Sequence, residues 1–140
     1  MKPVLLDSGA IVASLDRSEN QHESCVEAVQ GVIAPLVTCE AVIAESCYLL
    51  RRVAGARDAV LENVARGVFQ IPLQLSRDVP GVQRILRKYG DREIDLADAC
   101  LIHLASELKT GDILTLDRDF EIYRWGGARL FRLLIPLGPR

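Results

Sequence analysis

The hydrophobic positions fall into short unbroken runs that alternate with longer periodic segments. Pro3–Leu6 is an apolar run stopped by Asp7-Ser8-Gly9 and reads as a buried strand, and Ala10–Leu15 after it has helical character. Ser18–Gln30 gathers Ala28, Val26 and Val29 on one side and Glu19, Glu23 and Glu27 elsewhere, the pattern of an amphipathic helix closed by Gly31. A second strand is expected over Ile33–Val37. Thr38 then suits a helix N-cap, with Cys39–Ala54 as the helix and Gly55 beyond its end. Arg57–Arg66 predicts another helix, Val68–Leu75 a third strand whose Pro72 points to an edge or a bulge, and Val79–Tyr89 a short helix ended by Gly90. After the charged loop Asp91-Arg92-Glu93, Asp95–Leu108 is apolar on almost every side and should lie deep in the protein. Gly111–Leu116 and Ala128–Ile135 read as the fourth and fifth strands, joined by a short helix over Asp117–Trp125 and a turn at Gly126-Gly127.

Strands alternating with helices imply an α/β fold in which a parallel sheet of about five strands is covered on both faces, because parallel strands need crossover connections. In such sheets ligands gather at the carboxyl ends of the strands, where strand order reverses. Asp7 ends the first strand and Asp117 the fourth. Asp98 lies in the first turn of the buried helix, and helical side chains lean toward their own N-terminus, so it should point back to the same edge. Glu40 and Glu45 both belong to the helix after the second strand, and helical phase does not choose between them. Carboxylates crowded in one cleft repel each other, and a divalent cation relieves the repulsion. Hard oxygen donors suit Mg²⁺ or Mn²⁺ rather than zinc, and such an ion acidifies a bound water and neutralises charge on a phosphodiester under attack. Each acid also has a plainer reading. Asp7 and Asp117 can cap the elements that follow them, Asp95 reads as an N-cap with Asp98 favoured by the helix dipole, and either Glu can be a solvated helix charge.

Composition narrows the field. The chain has 140 residues, 49% of them hydrophobic and 26% charged, which fits one soluble domain over residues 1–140 rather than disorder. No apolar run is long enough for a membrane span, and the stretch after Met1 is too short for a secretory signal. A net charge of −2 argues against non-specific coating of nucleic acid. Cys25, Cys39, Cys47 and Cys100 form no Cys-x-x-Cys pair and read as small core hydrophobes in a reducing, cytoplasmic setting. His22 and His103 stand alone, the latter as a core histidine. Arg84, Arg87 and Lys88 make a basic helix face that reads as solvated, and Tyr123 and Trp125 as sheet packing.

Four stretches in this order resemble the PIN-domain family, and within it the VapC-type toxin ribonucleases. They are Leu5-Leu6-Asp7-Ser8-Gly9-Ala10, Val42-Ile43-Ala44-Glu45-Ser46-Cys47-Tyr48-Leu49-Leu50, Asp95-Leu96-Ala97-Asp98-Ala99, and Leu114-Thr115-Leu116-Asp117-Arg118-Asp119-Phe120 with Tyr123-Arg124 after it. The resemblance covers essentially the whole chain and selects Glu45 over Glu40. It implies a three-layer α/β/α sandwich, dependence on Mg²⁺ or Mn²⁺, hydrolysis of single-stranded RNA, a homodimer and an antitoxin protein that inhibits it. It further implies that Asp7, Asp98 and Asp117 hold the metal, that Glu45 completes the catalytic set, and that Asp119 and Thr115 assist. Arg118 and Arg124, beside the fourth acid, are the expected contacts to RNA phosphates. Two other readings stay open. One is a PIN-like module that binds RNA or protein without catalysis. The other is a metal-dependent phosphatase, against which the missing Asp-x-Asp counts, since the chain reads Asp7-Ser8-Gly9. A receiver domain would need a lysine late in the chain, and Lys109 precedes the fourth strand.

Overall fold

The computed structural model describes residues 1–139, and the first strand, β1 (Val4–Leu6), lies at the centre of its sheet. All three of its residues are buried, and both neighbouring strands run parallel to it. On one side Val4 and Leu5 pair with Leu36 and Val37 of β2 (Leu36–Val37), and on the other Leu5 and Leu6 pair with Ile113 and Leu114 of β4 (Asp112–Leu114). β3 (Phe69–Gln70) extends the sheet beyond β2, and β7 (Arg132–Leu133) extends it beyond β4, giving the order β3-β2-β1-β4-β7, parallel throughout. A separate antiparallel hairpin joins β5 (Arg124–Trp125) to β6 (Arg129–Leu130) across Gly126-Gly127, both with positive φ as this tight turn requires.

Six helices connect the strands: α1 (Ser8–Leu15) and α2 (His22–Gly31) after β1, α3 (Glu40–Leu49) and α4 (Ala56–Ala65) after β2, α5 (Leu75–Lys88) and α6 (Leu96–Leu108) after β3. The chain steps from β1 outward through β2 to β3 and then returns to β4. The right-handed crossover rule therefore sends the first four helices to one face and α5 and α6 to the other. The packing agrees: α1 meets α2 and α3, α3 meets α4, and α5 lies on α6. The result is the expected three-layer α/β/α sandwich around a five-stranded parallel sheet. Nine successive residues of α6, Ala97 to Ala105, are buried, as its unbroken apolar character predicts. All four cysteines are free, and three of them are buried. Among the described residues no helix is long and apolar enough to cross a membrane.

The structure corrects several boundaries. The helix expected from Ser18 begins only at His22, because the Asp16 carboxylate accepts from both the N–H and the hydroxyl of Ser18 and holds a turn there. Ile33 stays outside the second strand and is largely exposed, ahead of Pro35. Thr38 does not cap α3. It is fully buried, and its hydroxyl donates to the Leu6 carbonyl, stitching β2 to the end of β1. α3 ends at Leu49, five residues short of Ala54. The expected third strand shortens to two residues at the sheet edge, and α5 begins a turn earlier than Val79. Asp78 caps its start by accepting the Gln74 N–H, and Pro80 lies inside the helix. Asp117–Trp125 forms a single 3₁₀ turn (Arg118–Glu121) and β5 rather than one short helix, and Ala128–Ile135 splits into β6 and β7. Phe120 anchors that turn between Tyr123 and Phe131, with ring centroids 5.2 Å from each. Tyr123 and Trp125 are buried packing residues, as expected.

Candidate active site

Strand order reverses between β1 and β4, since the chain leaves β1 on one side and re-enters beside it on the other. The carboxyl ends of these two strands deliver Asp7 and Thr115-Leu116-Asp117 to one edge. Glu45 arrives from α3 and Asp98 from the first turn of α6, two helices that touch each other. Asp7, Glu45, Asp98 and Asp117 thus line one open depression of about 300 Å³, together with Ser8, Gly9, Leu49, Asp95 and Leu116. Five of its nine lining residues are acids and none is basic.

Each acid is set by local structure. Asp7 is the N-cap of α1: its Oδ1 accepts the Ser8 N–H at 2.8 Å, and its Oδ2 accepts the Thr115 hydroxyl at 2.7 Å. The same hydroxyl oxygen accepts the Asp117 N–H at 3.0 Å, so Thr115 ties the ends of β1 and β4 together. Asp117 caps the 3₁₀ turn by accepting the Asp119 N–H at 2.9 Å. The Ser8 hydroxyl donates to Glu45 Oε1 in a short hydrogen bond, which fixes the α3 acid against α1. Asp95 caps α6 by accepting the Asp98 N–H at 2.8 Å. Asp7, Asp95 and Asp117 thus make the capping bonds expected of them and also line the depression. An N-cap side chain sits at a helix start, and helix starts line this edge.

The electrostatics are one-sided. Burial holds the Asp7 carboxyl up at about 6, against the lowering hydrogen bonds from Thr115 and Ser8, and the charges of Asp117 and Glu45 add to the rise. Asp98 is pushed to about 8, first by burial and then by Asp7, Asp95, Asp117 and Glu45 in turn. Asp117 is raised as well, by burial foremost. The buried Tyr123 phenol moves up for the same reasons, burial first and then the field of Asp98. These are oxygen donors without a cationic side chain among them. Among the described residues, no three such side chains already form a set placed to hold a metal ion directly. An ion that keeps several waters and takes one or two carboxylates suits this mouth better than a dehydrated all-protein cage.

Thr115, expected to assist the site, meets Asp7. Asp119 lies outside the depression, exposed, and acts on Asp117 through its charge and its N–H. Arg118 and Arg124 do not line it. The Arg118 guanidinium donates to the carbonyls of Leu137 and Gly138 and pairs with Glu121 at 3.1 Å, while Arg124 Nη1 donates to the carbonyls of Glu121, Ile122 and Tyr123. Arg118 is thus held by backbone carbonyls and Glu121, and Arg124 by carbonyls of its own turn. Sequence reasoning missed Ser8 and Asp95 as lining residues. The signal for Ser8 was its place between a strand-ending acid and Gly9, and the signal for Asp95 was its N-cap position three residues before Asp98.

Comparison with known proteins places this geometry. A model of the PIN domain matches residues 4–126. Ribonuclease VapC26 of Mycobacterium tuberculosis is 32% identical over 137 residues, covering 96% of this chain and 94% of the relative. The crystal structure of Mycobacterium tuberculosis VapC20, described as a sarcin-ricin loop cleaving toxin, superposes with a TM-score of 0.75 at 17% identity, over 85% of this chain and 93% of that one, a likeness of fold. The match reaches from β1 through β5 and so contains all four acids at the strand switch: the chain belongs to the PIN domain family and resembles, within it, the VapC-type ribonucleases.

Proposed function

We propose that the protein is a divalent-metal-dependent endoribonuclease that hydrolyses phosphodiester bonds of single-stranded RNA, and that it is the toxin of a type II toxin–antitoxin pair. The observation that carries this reading is the depression at the strand switch, where Asp7 and Asp98 are buried among further acids with no cationic side chain to offset them. Uncompensated carboxylates of this kind are costly to the fold, and a hard dication makes them useful. The similarity to a named ribonuclease supports RNA as the substrate class; the homodimer, the antitoxin and a cytoplasmic setting belong to the same proposal.

Asp7, Asp98 and Asp117 would hold Mg²⁺ or Mn²⁺, directly or through water. When bound, the ion supplies charge neutralisation at the phosphate and lowers the pKa of water. The chain's own residues do the positioning. Thr115 and the Ser8 N–H fix both oxygens of Asp7, so this carboxylate cannot rotate away from the mouth. Glu45, held by the Ser8 hydroxyl, orients the attacking water and accepts its proton. In-line attack at phosphorus then expels the 3′ oxygen. Asp119 biases Asp117 through its charge.

The test is cleavage of a single-stranded RNA at low salt with Mg²⁺, Mn²⁺ or EDTA, for wild type, Asp7→Asn and Asp98→Asn. The expected result is cleavage by wild type with either ion, none in EDTA and none by either variant. Unchanged activity in both variants removes the mechanism, and phosphate release from small monoesters instead would mark a phosphatase.

A further inference from the structure

Beside the acidic depression the surface changes sign. Leu49 lines the depression, and two residues on Arg51 lines a second cleft of about 500 Å³, shared with Arg52, Val53, Ala54, Gly55, Arg57, Asp58 and Leu61. Only the buried Leu50 separates the two linings along the chain. Arg51, Arg52 and Arg57 are exposed and none forms an ion pair among the described residues, whereas Arg77, Arg118 and Arg132 are each committed to an acid. The turn that carries them is firm: Arg51 N–H donates to Tyr48, Val53 N–H to Leu50, and Ala56 N–H to Val53. At its head stands Tyr48, 62% exposed, with the Arg51 guanidinium 4.0 Å from its ring centroid and pinned there by donation to the Tyr48 carbonyl at 2.8 Å. A tyrosine of that exposure, backed by a guanidinium, is a platform for stacking a flat ring.

A strand whose phosphate enters the acidic mouth must be drawn there by charge supplied elsewhere, because the mouth itself repels it. A second basic cleft, lined by Lys2, Lys109, Trp125 and Arg129, does not serve. Lys2 and Lys109 precede β1 and β4, so it opens at the opposite edge of the sheet. The Arg51–Arg57 cleft instead begins two residues after Leu49, which lines the depression at the end of α3. Resting on the ribonuclease reading, we propose that this cleft is the track for the single-stranded RNA as it leaves the carboxylates, with Arg52 and Arg57 pairing phosphates and Tyr48, backed by Arg51, stacking a base. These are positioning residues. The stacking platform favours RNA over an acidic protein segment, which would need the charge but not the exposed ring.

The test uses the full chain as wild type, Arg52→Ala/Arg57→Ala, Tyr48→Ala and Tyr48→Phe, with a fluorescent RNA dodecamer. Cleavage with Mn²⁺ gives kcat and KM, and anisotropy in EDTA gives the salt dependence of binding. The double arginine variant should raise KM about tenfold with kcat within about twofold, and flatten the slope of log K against log salt by about 1.4, from about 0.7 per phosphate contact on a single strand. Tyr48→Ala should weaken binding about fivefold or more, and Tyr48→Phe should restore it, since the ring and not the hydroxyl is used. Unchanged KM and slope in the arginine variant would overturn the track and leave the nuclease reading standing, as would a loss confined to kcat. Arginine-dependent RNA binding by a wild type that cleaves nothing would keep the track and remove the nuclease reading. Arginine-independent RNA binding beside arginine-dependent binding of a polyglutamate peptide would assign the cleft to an acidic protein and overturn the RNA assignment.

Discussion

Asp98 is the most strongly raised acid of the depression and, on the proposed mechanism, the one where folding and catalysis conflict most. Its carboxyl is raised to about 8, so the folded chain binds a proton that the unfolded chain releases near the ordinary carboxylate value of 3.8. Its neutral form is therefore favoured by folding: the stabilisation is complete below the unfolded pKa and is lost as pH rises through about 8. Asp98→Asn removes the burden of ionising this group. At pH 8.5 without metal the variant should be more stable than wild type by about 2 kcal/mol, a Tm gain of several degrees by thermal melt, while its RNA cleavage disappears. A stability loss at that pH would contradict the buried-charge account. Thr115 makes the opposite contribution. Its hydroxyl lowers the pKa of Asp7, so Thr115→Val should push the Asp7 carboxyl higher and move the acid limb of the pH–rate profile upward. It should also cost about 1–3 kcal/mol of stability, because the Asp117 N–H loses its acceptor in the same substitution.

At the scale of the element, α6 shows why one position serves two purposes. Asp95 accepts the Asp98 N–H as N-cap and also adds to the field that raises Asp98. Asp95→Asn keeps the cap and removes the charge, so stability should hold while the Asp98 carboxyl falls, seen as a downward shift of its chemical-shift titration. Asp95→Ala loses both, and should cost about 1 kcal/mol in denaturant melts. The 3₁₀ turn after β4 is the instructive contrast. Arg118 and Arg124 look like phosphate ligands when read beside Asp117, yet their guanidinium donors satisfy carbonyls at the turn and at residues 137–138. Arg118→Ala should therefore lower Tm while leaving KM for RNA within about twofold. Nothing in linear sequence says which carbonyls folding will bring within reach of an arginine.

For the molecule as a whole, several raised carboxylates at one mouth make stability, pH and metal a single linked equilibrium. Asp7 and Asp98 are held up at about 6 and about 8, so between pH 4 and 8 the metal-free protein should lose stability as each is forced to ionise. A bound dication should reverse this. The Tm gain from millimolar Mn²⁺ should be larger at pH 8 than at pH 5, where protons occupy the same oxygens, and calorimetric scans at the two pH values would measure it. A gain independent of pH would mean that the ion binds elsewhere.

The chain by itself determined the layering and the acids' addresses. Short runs such as Val4–Leu6 read as buried strands, α6 is apolar on almost every side and reads as interior, and parallel strands require crossovers, so strand ends and helix starts share an edge that collects Asp7, Glu45, Asp98 and Asp117. What the tertiary structure alone decided is the hydrogen bonding of polar side chains. Thr38 bonds the Leu6 carbonyl instead of capping α3, the Ser8 hydroxyl holds Glu45, and Arg118 turns to the chain's end, because each polar group takes the partner that folding brings within reach. Burial, too, is a property of the assembled core, and it is burial that raises Asp7 and Asp98.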